Sequence, residues 1–165
     1  MLTGSLAAAY HGAGRATLDI DMVIDPTATQ LRALLGSLAA TEAYVSSEAA
    51  GEALSTRSMF NVVDTTSGWK VDFIVRRDRA FSVTELQRRQ AAEFEGCRLW
   101  VASVEDVILT KLEWAKMGGS ARQLEDAAAL RRIHAGRLEE TYLGHWIAEL
   151  GLAAQWEQLM RGARE

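Results

Sequence analysis

The stretch Leu18-Asp19-Ile20-Asp21-Met22-Val23-Ile24 constrains this chain more than any other. Its alternation predicts a β-strand with Leu18, Ile20, Met22 and Ile24 on one face and Asp19, Asp21 and Val23 on the other. Aspartate is disfavoured in strands, so a strand with two of them in succession on one face needs that face for something other than packing. Alternate residues of a strand lie about 6–7 Å apart, and two carboxylates at that spacing can share hard divalent cations. A fold built around this strand has to bury one side and leave the other open to a ligand.

Two further features extend the pattern. Met59–Val63 and Trp69–Val75 read as strands joined by a hairpin loop over Asp64–Gly68. The second strand puts Val71, Phe73 and Val75 on one face and Lys70, Asp72 and Ile74 on the other. Pairing beside the first carboxylate strand would bring Asp72 to Asp19 and Asp21. Three like charges together repel strongly without a cation between them. With Mg²⁺ (or Mn²⁺) bound, such a cluster suits phosphoryl-type transfer. Upstream, Leu2-Thr3 reads as the end of a short strand, and Gly4-Ser5 as the turn into a helix over Leu6–His11 that Ser5 caps. The N-terminus of such a helix presents unpaired N–H groups that seat phosphate.

The rest of the chain supplies a frame. Asp25-Pro26 predicts the N-cap and first position of a helix running to about Ala40, and Val45–Ser55 a short helix. Ala80–Gln90 predicts a helix carrying Arg88 and Arg89, and Cys97–Val101 a last strand. Ser103 with Asp106 predicts a cap for the helix that carries Val107, Ile108, Lys111, Leu112 and Trp114, ended by Gly118-Gly119. Ser120–His134 gives the next helix, and Leu138–Leu150 and Leu152–Arg161 one or two more. Strands first and helices last predict an α+β chain: a short mixed sheet with flanking helices over 1–101 and a helical part packed on it over 102–165.

Composition removes several alternatives. At 165 residues the chain suits one domain, or one with a small appendage. An apolar share of 48% with 24% charged residues argues for a packed core rather than disorder. The net charge of −4 gives no general attraction to nucleic acid. Cys97 is the sole cysteine, so it has no partner for a disulfide or a thiolate metal site; it reads as a small buried apolar residue. No apolar run reaches the ~18 residues of a membrane span, and the apolar opening lacks the basic region of a signal peptide. These features place the chain in the cytoplasm and away from membranes.

The motif set, Gly-Ser, about a dozen residues, then Asp-apolar-Asp-apolar, resembles the DNA polymerase β-type nucleotidyltransferase superfamily. Leu2-Thr3-Gly4-Ser5 through Gly12, followed by Arg15-Ala16-Thr17-Leu18-Asp19-Ile20-Asp21, resembles its small bacterial members, including the AbiEii-type toxin nucleotidyltransferases. Ser103–Leu112 and Arg122-Gln123-Leu124-Glu125-Asp126 look like the same group. The resemblance implies a nucleotidyltransferase fold acting on a nucleoside triphosphate. Gly4 and Ser5 would contact the triphosphate, with Arg15 and Thr17 beside the site. Asp19, Asp21 and Asp72 would bind metal, and Asp72 would also act as, or orient, the general base for an incoming hydroxyl. Lys111 would contact phosphate with Asp126 supporting it. Members of the group usually carry a helix ahead of the Gly-Ser strand, whereas here Gly4 follows only three residues.

Each residue also has a plainer reading. Lys111 on an amphipathic helix is ordinarily a solvated charge, and Asp126 an i, i+4 ion pair with Arg122. His11 reads as a packed or capping residue, and His134 and His145 as surface positions. Arg76, Arg77, Arg79, Arg88 and Arg89 form a basic zone of the kind that is usually solvated but could meet RNA or nucleotide phosphate. Trp100, Trp114, Trp146 and Trp156 read first as core or interface residues and only after that as base-stacking platforms, and five tryptophans make a homodimer a natural assembly. The leading function is transfer of a nucleoside monophosphate to a hydroxyl of RNA, protein or a small molecule. The alternative is an inactive fold that binds or regulates a cognate partner in a toxin–antitoxin-like pair. A metal-dependent phosphohydrolase is weaker, because no His-rich metal motif is present.

Overall fold

A computed structural model of the chain describes residues 1–94 and 96–162. In chain order the elements are α1 (Gly4–Tyr10), β1 (Asp19–Ile24), α2 (Ala28–Leu38), β2 (Ala43–Val45), α3 (Ser47–Thr56), β3 (Met59–Asp64) and β4 (Lys70–Val75). Then follow α4 (Ala80–Gln87), β5 (Gln90–Phe94), β6 (Cys97–Val101), α5 (Val104–Gly118), α6 (Ala121–Ile133), α7 (Glu140–Glu149) and α8 (Ala153–Gly162).

The two carboxylate strands are neighbours. The main sheet runs β1-β4-β3-β2, with β1 and β4 parallel and β3 antiparallel to both β4 and β2. The register sets Asp19 opposite Lys70 and Asp21 opposite Asp72. Alternation sorts the side chains between two cores. Ile24, Val71, Phe73 and Val75 pack with Leu31, Ala50, Ala53 and Phe60 beneath α2 and α3. Val23 and Ile74 join the larger core shared by α1, α4 and the C-terminal helices. Leu18 lies outside β1 and is exposed, not part of its buried face.

Residues 1–3 stitch this sheet to a second one. Val23 and Ala102 donate to the carbonyls of Met1 and Leu2, while the N–H groups of Leu2 and Thr3 reach the carbonyls of Trp100 and Asp21. The second sheet is the β5–β6 hairpin. Gln90 was expected to end the preceding helix, and Ala91 and Glu93 are reasonable helix formers. Cross-strand pairing through the turn at Gly96, whose φ is +76°, overrides that local preference. Cys97 at the start of β6 is exposed rather than buried.

The long helices end where their local chemistry says they should. The Ser103 hydroxyl accepts the Asp106 N–H at the start of α5, and Gly119 at φ +61° closes it. The start of α2 differs from expectation. Its cap is Thr27, in a reciprocal box with Gln30, and Asp25 instead pairs with Arg76 at 2.7 Å and Arg57 at 3.3 Å.

A buried polar knot holds α4, α5 and α7 together. The Asp106 carboxylate has no solvent exposure and accepts from Ser103 Oγ at 2.7 Å and from the Tyr142 hydroxyl at 2.6 Å. The Arg88 guanidinium covers the Tyr142 ring at 3.9 Å and donates to Glu139 at 2.8 Å. Burial raises Asp106 above the usual carboxylate range, while the Tyr142 and Ser103 hydroxyls act against the rise. Tyr142→Phe leaves this carboxylate short of a donor and should cost about 1–3 kcal/mol, read as a lower urea midpoint at neutral pH with an unchanged slope.

Candidate active site

The site begins where α1 meets β1. The Thr3 N–H donates to the Asp21 carbonyl at 2.9 Å, which sets the first turn of α1 against the strand. Gly4 sits at φ +62°, and a Cβ built there would lie 1.9 Å from Asp21 Oδ2. Only glycine allows the helix start and the carboxylate to come this close. Ser5 does not cap the helix. The cap position is Thr3, without a side-chain bond, and Ser5 Oγ accepts from the Arg15 guanidinium at 2.7 Å. Thr17 Oγ1 accepts the Asp19 N–H at 3.1 Å and so trims the entry into β1.

The second wall comes from α5 and α6. Lys111 is 2% exposed, and its Nζ donates to Asp126 Oδ2 at 2.7 Å and Gln123 Oε1 at 3.1 Å. Arg15 Nε reaches the same Asp126 oxygen at 3.2 Å. Lys111 is therefore not a solvated charge, and Asp126 pairs with Lys111 and Arg15 rather than with Arg122. Gly4, Ser5, Arg15, Thr17, Asp19, Asp21, Asp72 and Lys111 all line one cleft of about 370 Å³, with Asp126 behind Lys111.

The three carboxylates share the cleft floor. Burial, and after it the neighbouring Asp72, raise the Asp21 carboxyl above its ordinary value, against the Ser5 backbone N–H. Such a cluster calls for a cation, and its hard oxygen donors suit Mg²⁺ or Mn²⁺. Among the described residues, however, no three acidic, His or Cys side chains converge closely enough to hold an ion as they stand. Lys70 Nζ supplies positive charge instead, 3.3 Å from Asp19 and 3.0 Å from Asp72. The donors fit a divalent ion in kind. Their present spacing fits an ammonium.

Further groups line the cleft besides those the motifs marked. Glu85, buried on α4, lines it, as do Arg79 and Glu113, which form a two-pronged pair at 2.6 and 2.7 Å. Trp114 also lines it and is exposed, not a core residue. The arginine zone is largely neutralised within the fold: Arg76 by Asp25, Arg79 by Glu113, and Arg88 by Glu139. Arg89 covers the Trp100 ring, while Arg77 is exposed at the cleft with no ion-pair partner among the described residues. The histidines lie elsewhere. His11 Nε2 donates to the Ala102 carbonyl at 2.8 Å, and the partly buried His134 to the His11 carbonyl at 2.8 Å.

This architecture is similar to a solved structure. The solution structure of the antibiotic-resistance factor ANT(2'')-Ia matches it with a TM-score of 0.55, covering 99% of this chain and 86% of that one at 14% identity. The chain therefore has a nucleotidyltransferase fold. The sequence matches no family model and no curated protein.

Two measurements probe the site's physics. Gly4→Ala should lose more stability than the roughly 1–2 kcal/mol of a left-handed alanine alone, because Asp21 must also move. Gly51→Ala, inside α3 with open space around it, should shift the thermal midpoint upward. Burial pushes the Glu85 carboxyl from 4.5 up to about 8, with Asp106 adding to the rise and Arg79 opposing it. The folded chain thus keeps a proton that the unfolded chain releases. Stability falls as pH rises from about 4.5 to 8, by up to about 1.4 kcal/mol per unit. Glu85→Gln should flatten that decline in urea unfolding followed across the same window.

Proposed function

We propose that the chain is a metal-dependent nucleotidyltransferase that moves a nucleoside monophosphate from a nucleoside triphosphate to an acceptor hydroxyl. The contact of Gly4 with the Asp21 carboxylate carries this reading. It presses a helix start, the seat for phosphate, against the strand carboxylates. The shared fold supports nucleotidyl transfer in general terms.

Mg²⁺ (or Mn²⁺) held by Asp19, Asp21 and Asp72 would neutralise charge on the triphosphate and the leaving pyrophosphate. Gly4 and Ser5 receive the triphosphate, with Arg15 and Thr17 at its flank. Lys111 meets a phosphate, and Asp126 keeps its ammonium in place. Asp72 accepts or directs the proton of the acceptor hydroxyl. That oxygen forms its bond to the α-phosphorus as the bond to pyrophosphate breaks. RNA, a protein side chain and a small molecule all offer such a hydroxyl, and a toxin–antitoxin-like pair with a cognate protein is one setting for it.

The Lys70 bridge favours a second reading, a fold that binds nucleotide or partner without turnover, because its ammonium already answers the charge of Asp19 and Asp72. Purified protein with Mg²⁺ and each labelled nucleotide, offered a cell extract, separates the two. The transferase reading expects label on an acceptor, cut at least about a hundredfold by Asp19→Ala or Asp21→Ala. Label transfer that these variants leave unchanged would sink it. Absent transfer, with nucleotide binding indifferent to Asp72→Ala, selects the second reading.

A further inference from the structure

The apolar residues of α5 fall into two groups. Val107, Ile108, Leu109, Leu112 and Ala115 are at most 5% exposed, whereas Trp114 and Met117 are 43% and 57% exposed. Both exposed residues line the cleft. Burial is worth roughly 25 cal/mol per Å² of apolar surface, so two adjacent large side chains left uncovered at a binding cleft are placed for a ligand rather than for the core.

Their position on the helix says which part of a ligand. Lys111, Trp114 and Met117 follow one another at three-residue intervals, so Trp114 lies about 4.5 Å and Met117 about 9 Å beyond Lys111 along the axis. A cation and an aromatic platform on one helix side, separated on the scale of a ribose, suit the two ends of a nucleotide. The surroundings are complementary in charge. Arg122 and Arg77 also line the cleft, exposed and without ion-pair partners among the described residues, so beside its carboxylates the cleft keeps two unpaired cations for the phosphates of such a ligand.

We infer that Trp114, backed by Met117, is the seat for the nucleobase of the triphosphate, with the indole stacked on the base. This rests on the triphosphate reading above and adds to it a recognition mode. An aromatic face accepts every base and ranks them by ring area rather than by edge hydrogen bonds, so purines bind ahead of pyrimidines without strict base choice.

The test is calorimetric titration of the Mg²⁺-saturated protein with nonhydrolysable ATP and CTP analogues and with inorganic tripolyphosphate. Wild type is compared with Trp114→Phe, which keeps a ring, and Trp114→Leu, which keeps apolar bulk only. Tripolyphosphate should bind all three proteins equally. The ATP analogue should weaken at least about fivefold in the Leu variant and less in the Phe variant, consistent with one stacking contact, and the preference for ATP over CTP should shrink with it. Indole fluorescence quenched by the ATP analogue but not by tripolyphosphate, and lost in Trp114→Phe, would support the same assignment.

Unchanged ATP affinity in Trp114→Leu, or equal loss of ATP and tripolyphosphate, overturns the base seat while leaving the triphosphate site standing. Self-association that Trp114→Leu abolishes, with affinities unchanged, overturns it in favour of a contact between copies. No binding of any of the three ligands to wild type removes the triphosphate reading and the base seat together.

Discussion

The buried ammonium of Lys111 ties the cleft together. A charge taken out of water costs several kcal/mol unless it is paired and hydrogen-bonded, and here Asp126 and Gln123 provide both. Asp126 is shared with Arg15, and Arg15 reaches on to Ser5. One chain of polar contacts thus joins α5 and α6 to the loop after α1 and to α1 itself. The apolar core shared by these helices brings the elements together. The polar chain sets how they are oriented around the cleft, because hydrophobic burial has no direction and charged hydrogen bonds do.

The opposite wall holds an unfavourable arrangement in place. Asp21 and Asp72 are register partners, and the approach of Gly4 leaves Asp21 little room. The loss of water, and after it repulsion from Asp72, favour the protonated form of Asp21. Backbone pairing of β1 with β4 holds the two aspartates together, and Lys70 answers the charge of Asp19 and Asp72. Destabilised groups of this kind cluster where a ligand later supplies what is missing. Glu85 is a second such group in the same cleft, held protonated by burial on a helix that packs into the main core. The Tyr142–Asp106–Arg88 knot differs, since each member finds a partner inside the protein and none lines the cleft.

Local patterns carried much of the fold and of the site into the sequence. Alternation along 18–24 and 69–75 assigned the carboxylate faces correctly, because a strand has a side-chain period of two whatever surrounds it. The Ser103 cap and the Gly118-Gly119 stop were equally local. The misses involve choices between competing partners. Asp25 could cap a helix or pair with Arg76, and Gln90–Phe94 could extend a helix or join Cys97–Val101. Each option is reasonable over ten residues, and only distant chain selects between them. Glu85 gave no sign at all, and Trp114 read first as core or interface, since nothing in spacing marks a glutamate for burial or a tryptophan for exposure.

The sequence by itself determined that two strands would each offer carboxylate on one face and that Gly4-Ser5 would stand at a helix start. It did so because strand period, glycine conformation and helix ends depend on near neighbours. Tertiary structure alone decided that β1 and β4 lie side by side in parallel with Asp21 against Asp72. It also decided that α5 faces them with Lys111 buried and Trp114 open. Parallel pairing needs a long crossover, here residues 25–69, and which strands meet across it is settled by the two cores packing on either side of the sheet. The charges then take the partners that this packing leaves within reach.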